Sequence, residues 1–233
     1  MTHTEAVAVA INTRFVLGTG ANNDLASAGV VVHQTDAMDG GDGGVPWMTN
    51  DAYPDRFAAS LVNANAPYMY STSAVGIVIS PAHLSMEDLW CIYPRDGNTM
   101  SLGNHGCGQG AYTTLPKMLA AQQRGLPRSN CLWGEPDRAD RFDCMYNELV
   151  LKGEIYTQRL PQAIEAVFRP IGGVVHHAEG DEATARRIYG ELMQRYYRGR
   201  ERGGSAAAPP LLVYDIALAR AGRPPFKPMD AGW

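Results

Sequence analysis

One carboxylate interrupts an apolar strand. In Met145-Tyr146-Asn147-Glu148-Leu149-Val150-Leu151, Glu148 is followed by three apolar residues. A glutamate on a half-exposed strand has alternating polar neighbours, whereas this run reads as a strand buried on both faces. An ionised carboxylate there is costly unless it is paired or used. It either forms a structural ion pair with a nearby arginine or waits for positive charge that develops in a reaction. Two other groups could share such a site. His33 closes the run Gly29-Val30-Val31-Val32-His33, and hydroxyls crowd Tyr70-Ser71-Thr72-Ser73. A backbone carbonyl would satisfy the histidine as well as a ligand would. Ser and Thr are common at strand ends and turns without any chemistry.

A rival chemistry sits at Asn104-His105-Gly106-Cys107-Gly108, where the cysteine would be a nucleophile, His176 or His177 its base and Asp215 the orienting acid. The product would be a thiol hydrolase or deamidase. An activated thiolate usually lies at a helix start, and no helix is expected after Cys107 before Thr113. A third class is a non-catalytic binding module presenting Trp47, Tyr53, Tyr68 and Tyr70, which leaves Glu148 without a role. Asp36, Asp39 and Asp42 lack the alternating pattern and distant glutamate of an EF-hand loop, so no metal is assigned.

The elements that must position these groups are mostly short strands. Gly29 to His33, two pieces within Tyr68 to Ser80, Leu89 to Tyr93, Met145 to Leu151, Ala163 to Phe168 closed by Pro170, and Leu211 to Ile216 are β-branched or apolar runs bounded by turn residues. Leu115 to Arg124 reads as a short helix with Pro116 in its first turn and Gly125 as its stop. Asp181 to Arg200 is amphipathic, with Ala185, Ile188, Leu192 and Tyr196 on one face, acids at its start and arginines at its end. Many strands and few helices imply an α+β fold dominated by antiparallel sheet. The chain reads as a single domain over 1–233, with 1–13 and 223–233 loosely ordered.

The chain has 233 residues, 45% hydrophobic and 19% charged, and its formal net charge is -4. That size supports one sizeable core, and the charge supplies no broad basic field for nucleic acid or anionic lipid. No run reaches the roughly 18 to 20 apolar residues of a membrane span, and Ala6 to Ile11 is too short for a signal-peptide core. Cys91, Cys107, Cys131 and Cys144 form no Cys-x-x-Cys, which disfavours a zinc ribbon or a thioredoxin-type site. An even count is compatible with two disulfides in an oxidising compartment, with three connectivities open, and equally with free buried thiols. An oxidised Cys91–Cys107 pair would tie down the irregular stretch between them.

The strand ending in His33, the Ser71-Thr72-Ser73 segment and the Glu148 strand, in that order, resemble the ADP-ribosyltransferase and NAD-glycohydrolase superfamily. Within it the chain is similar to the halovibrin-like group of secreted bacterial proteins. The resemblance is carried by Ser27 to Asp36, by Cys91-x-Tyr-Pro-x-Asp96 with His105-Gly106-Cys107-Gly108 behind it, by Asn147-Glu148, and by Leu160-Pro161 leading to Ile164-Glu165-Ala166. It implies two antiparallel sheets around an NAD cleft with peripheral helices. NAD would be the substrate, and ADP-ribose would pass to water or to a host or competitor macromolecule. The protein would be secreted or delivered into target cells.

By the same resemblance Glu148, Ser71 and Ser73 are the catalytic set, and His33, Gln34, Thr35, Tyr70 and Thr72 contact the nucleotide. Cleaving the nicotinamide–ribose bond passes through an oxocarbenium-like state, which a carboxylate near the ribose stabilises. His33 stands where the group usually carries Arg, and Tyr146 stands where enzymes that modify arginine often carry Gln or Glu. Arginine is therefore not singled out as acceptor.

Overall fold

A computed structural model describes residues 1–34, 56–69, 75–93, 107, 112–123, 146–152, 160–172, 182–194 and 208–229. Its strands are β1 Val30–Gln34, β2 Arg56–Val62, β3 Gly76–Ile79, β4 Leu89–Tyr93, β5 Glu148–Lys152, β6 Ile164–Ile171, β7 Leu211–Asp215 and β8 Phe226–Pro228. The helices are α1 His3–Leu17, α2 Leu25–Ala28, α3 Leu115–Gln123, α4 Leu160–Ala163, α5 Glu182–Leu192 and α6 Ile216–Arg220.

The strands join in the order β4-β5-β2-β1-β3-β6-β7-β8. Where two antiparallel sheets were expected, a single mixed sheet runs through, with β6–β7 its parallel pair. The α+β class stands. Pro170 does not close β6, which continues to Ile171. Val167 N–H donates to Pro210 O on the β7 side, so the N–H that Pro170 lacks would face β3, beyond the last β3–β6 pair at Gly76 and Phe168. Among the described residues no ladder bond is lost there.

Two apolar clusters sandwich the sheet. On one face Val31, Leu61, Ile77, Leu149, Leu151 and Val167 pack beneath Leu115 and Met118 of α3 and Ala185, Ile188 and Leu192 of α5. On the other, Val30, Val32, Val62, Val78 and Phe168 pack against Ile11 and Phe15 of α1 and against Tyr214 and Phe226. Gly29 lets β1 enter this stack: its φ is 155°, and a Cβ would lie 2.5 Å from Val62 O.

Residues 1–13 and 223–229, within the two segments expected to be loose, contribute to that second cluster, while 230–233 lie outside the described residues. Thr2 and Glu5 form a capping box that starts α1. Asn12 then clasps β8, donating to Phe226 O at 2.7 Å and accepting from Phe226 N at 2.9 Å. Burial of Ile11, Phe15 and Phe226 orders these segments despite their position in sequence. Arg14 of α1 also forms a bidentate pair with Glu165 of β6. No helix among the described residues is long and apolar enough to cross a membrane.

Candidate active site at a strand exchange

β2, a strand with no signal in the sequence reading, organises the site. Its residues Ser60, Leu61 and Val62 pair with Val32, Val31 and Val30 of β1. Its residues Arg56 to Ala59 pair instead with Lys152 to Leu149 of β5. β2 therefore changes partner between Ala59 and Ser60. Past the change, His33 and Gln34 of β1 pair only with Ile77 and Gly76 of β3. Glu148 is the first β5 residue beyond the last β2–β5 pair, Ala59 and Leu149, and it pairs with Tyr93 of β4 on its other side.

A strand that changes partner leaves backbone groups facing a vacated side, and buried groups of that kind must find substitutes. On the β1 side, His33 Nδ1–H donates to Ala58 O. On the β5 side, Asn147 supplies both bonds: its Oδ1 accepts from Leu61 N and its Nδ2 donates to Leu61 O, each at 2.8 Å. The orientation of this carboxamide is set by chemistry, because a backbone N–H can only donate. Asn147 Nδ2 also donates to Gln122 Oε1 of α3 at 2.9 Å. His33, Asn147 and Glu148 are all buried, with 1%, 0% and 8% of their surface exposed.

The structure brings His33 and Glu148 to the same exchange but from opposite faces. Strand alternation places His33 with Val31, and its partner Ile77 lies in the main cluster. Glu148 lies with Val150, and its partner Tyr93 joins Val150 and Cys91 in a small separate cluster. A bulge at Trp90 makes this possible. Leu89 pairs with Leu151, but the register slips by one before Cys91 pairs with Val150. The extra residue turns Cys91 and Tyr93 onto the face of Glu148 while Ile92 stays in the main core.

Thr35, Tyr70, Ser71, Thr72 and Ser73 lie outside the described residues, as do Asp36, Asp39 and Asp42, and of Gln34 only the backbone is described. Gly76 and Ile77, which follow Ser73 closely in sequence, pair with Gln34 and His33. Ser60 is a site residue that sequence reasoning passed over. It is buried at the exchange, and one step further in the β2–β5 register sets it against Glu148. Its signal, a serine in an alanine-rich strand, is weak.

The thiol-hydrolase residues are differently engaged. Cys107 is joined to Cys91 in a disulfide, and a disulfide sulfur is not a nucleophile. Asp215 is the N-cap of α6, accepting from Ala217 N and Leu218 N at 3.1 Å each, and it pairs with Lys227 at 3.1 Å. Partial burial would raise its pKa, but the Leu218 N–H, Lys227 and the Ala217 N–H together hold it below the ordinary value. His105, His176, His177, Cys131 and Cys144 lie outside the described residues. No family model matches the chain, and no curated protein or solved structure matches it.

Proposed function

We propose that the protein cleaves the nicotinamide–ribose bond of NAD and passes ADP-ribose to water or to a macromolecule, acting as a secreted or delivered bacterial toxin. The observation that carries this reading is a buried carboxylate, Glu148, at the exchange of a sheet whose strands run on separately from that point. The resemblance of the His33, Ser71-Thr72-Ser73 and Glu148 segments to NAD-consuming enzymes adds the substrate class.

Glu148 supplies negative charge as the ribose becomes oxocarbenium-like, an interaction that strengthens as the bond breaks. A neighbouring hydroxyl, Ser60 on the register or Ser71 or Ser73 on the resemblance, orients the carboxylate. Tyr70, Thr72, Gln34 and Thr35 line the nucleotide in this reading. His33 acts chiefly through the β2 backbone it holds, and any contact it makes with the nucleotide comes from the far side of the exchange.

The test is nicotinamide release from NAD by the purified protein and by Glu148→Gln. The variant is expected to lose about 100-fold in rate, roughly 2.7 kcal/mol of transition-state stabilisation, with calorimetric NAD binding retained. Equal turnover in the variant would take Glu148 out of the chemistry.

A further inference from the structure

Glu148 begins β5 where the ladder to β2 has stopped. On one flank its backbone is held by the pairing with Tyr93. On the β2 flank the side chain of Asn147 bonds the backbone of Leu61. That carboxamide accepts from Leu61 N, donates to Leu61 O and donates to Gln122 Oε1, so both its N–H donors and its carbonyl are engaged in an environment with no solvent exposure. Paired strands lie about 4.7 to 4.9 Å apart. A side chain inserted between two backbones requires a wider gap, so Asn147 both fastens the start of β5 and spaces it away from β2. Gln122, half-buried at the end of α3, braces the spacer from the helix layer.

We propose that Asn147, oriented by Gln122, is a positioning residue for Glu148: its carboxamide replaces the ladder and sets the distance and direction from which the carboxylate enters the site. This rests on Glu148 being the working carboxylate. Neither residue is assigned a contact with substrate. The inference gives Gln122, a helix residue distant in sequence from every candidate catalytic group, a place in the reaction. Small displacements of a reacting group are costly to rate, up to about 100-fold per ångström.

The experiment uses the full chain carrying Gln122→Leu, which removes the acceptor at a half-buried position, with Asn147→Asp as a second variant. Asp keeps the acceptor for Leu61 N–H and loses both donors. Two readouts are taken: nicotinamide release at varied NAD, and the carboxyl titration of Glu148 by carbon-13 NMR, assigned by its absence in Glu148→Gln. Gln122→Leu is expected to lower kcat about tenfold with KM within twofold, and to displace the titration of the Glu148 carboxyl. A lowered melting temperature with wild-type kcat and an unmoved titration would overturn the proposal, since a merely structural pair would behave that way. If wild-type protein releases no nicotinamide, the NAD reading falls, and the titration, which needs no substrate, still decides the positioning. Should Asn147→Asp fail to fold, Gln122→Leu alone decides it.

Discussion

His33→Ala is the perturbation whose size follows most directly from the geometry. The imidazole is buried, and its Nδ1–H is the donor to Ala58 O at the point where β1 no longer pairs with β2. Removing it takes that donor from the carbonyl of Ala58, an exposed residue that water can reach, so the loss is the net value of one hydrogen bond, roughly 0.5 to 1.5 kcal/mol. The space left by the truncated ring adds roughly 1 to 2 kcal/mol, because packed surroundings relax only in part. The sum is about 1.5 to 3.5 kcal/mol. For a chain of this size each kcal/mol moves the melting temperature by about 2 to 4 °C, so a fall of roughly 3 to 14 °C is expected. The assay is thermal unfolding followed by calorimetry and far-UV circular dichroism. His33→Gln restores a donor and is expected to recover part of the loss, whereas His33→Arg must fit a longer cation into a closed site and is expected to melt lower than His33→Gln. Melting of His33→Ala within 1 °C of wild type would refute the reasoning, because Ala58 would then have no need of the ring. Titrating NAD into the folded variant separates the two roles of this position: more than tenfold weaker binding marks a nucleotide contact in addition to the structural bond, about 1.4 kcal/mol or more.

Cys107→Ser opens a disulfide of sequence separation 16, for which chain entropy gives about 3 kcal/mol. Denaturant unfolding should show that loss, reduced wild type should match the variant, and NAD cleavage by the folded fraction should persist; loss of all turnover at unchanged stability would revive the cysteine nucleophile. Asp215→Ala removes the cap of α6 and is expected to cost about 0.5 to 2 kcal/mol near neutral pH. Because the folded-state pKa of Asp215 lies below 3.8, its contribution is present above that value and fades as pH falls through the folded-state pKa. Wild type and Asp215→Ala should therefore converge in stability at the acid end of a pH series, and a gap that stays constant would contradict this assignment.

Much of the framework is legible in the sequence because it depends on local pattern. β1, β4 and β7 are β-branched or apolar runs that fold as such, α3 carries Pro116 in its first turn, and α5 buries the Ala185, Ile188 and Leu192 face of its repeat. Glu148 was legible for the same reason: its apolar successors announced a buried strand, and it is buried.

What the pattern could not yield was the partner exchange. β2 carries Ala58, Ala59 and Ser60 at its centre, residues with little strand preference, and it becomes a strand because β1 and β5 each supply half a ladder. α1 was hidden because it is apolar on its exposed side too, at Val9, Val16 and Leu17, so its periodicity is faint. β8 is too short to signal itself and is fixed by Asn12, over 200 residues away. The side chains that complete the exchange, His33 toward Ala58 and Asn147 toward Leu61, satisfy backbone groups that only tertiary pairing leaves unmatched. Local sequence determined several of the strands, β1, β4, β5, β6 and β7, and that a carboxylate is buried in one of them. The fold alone decided which strand lies beside it, because hydrogen-bond satisfaction across a sheet joins residues with no periodic relation along the chain.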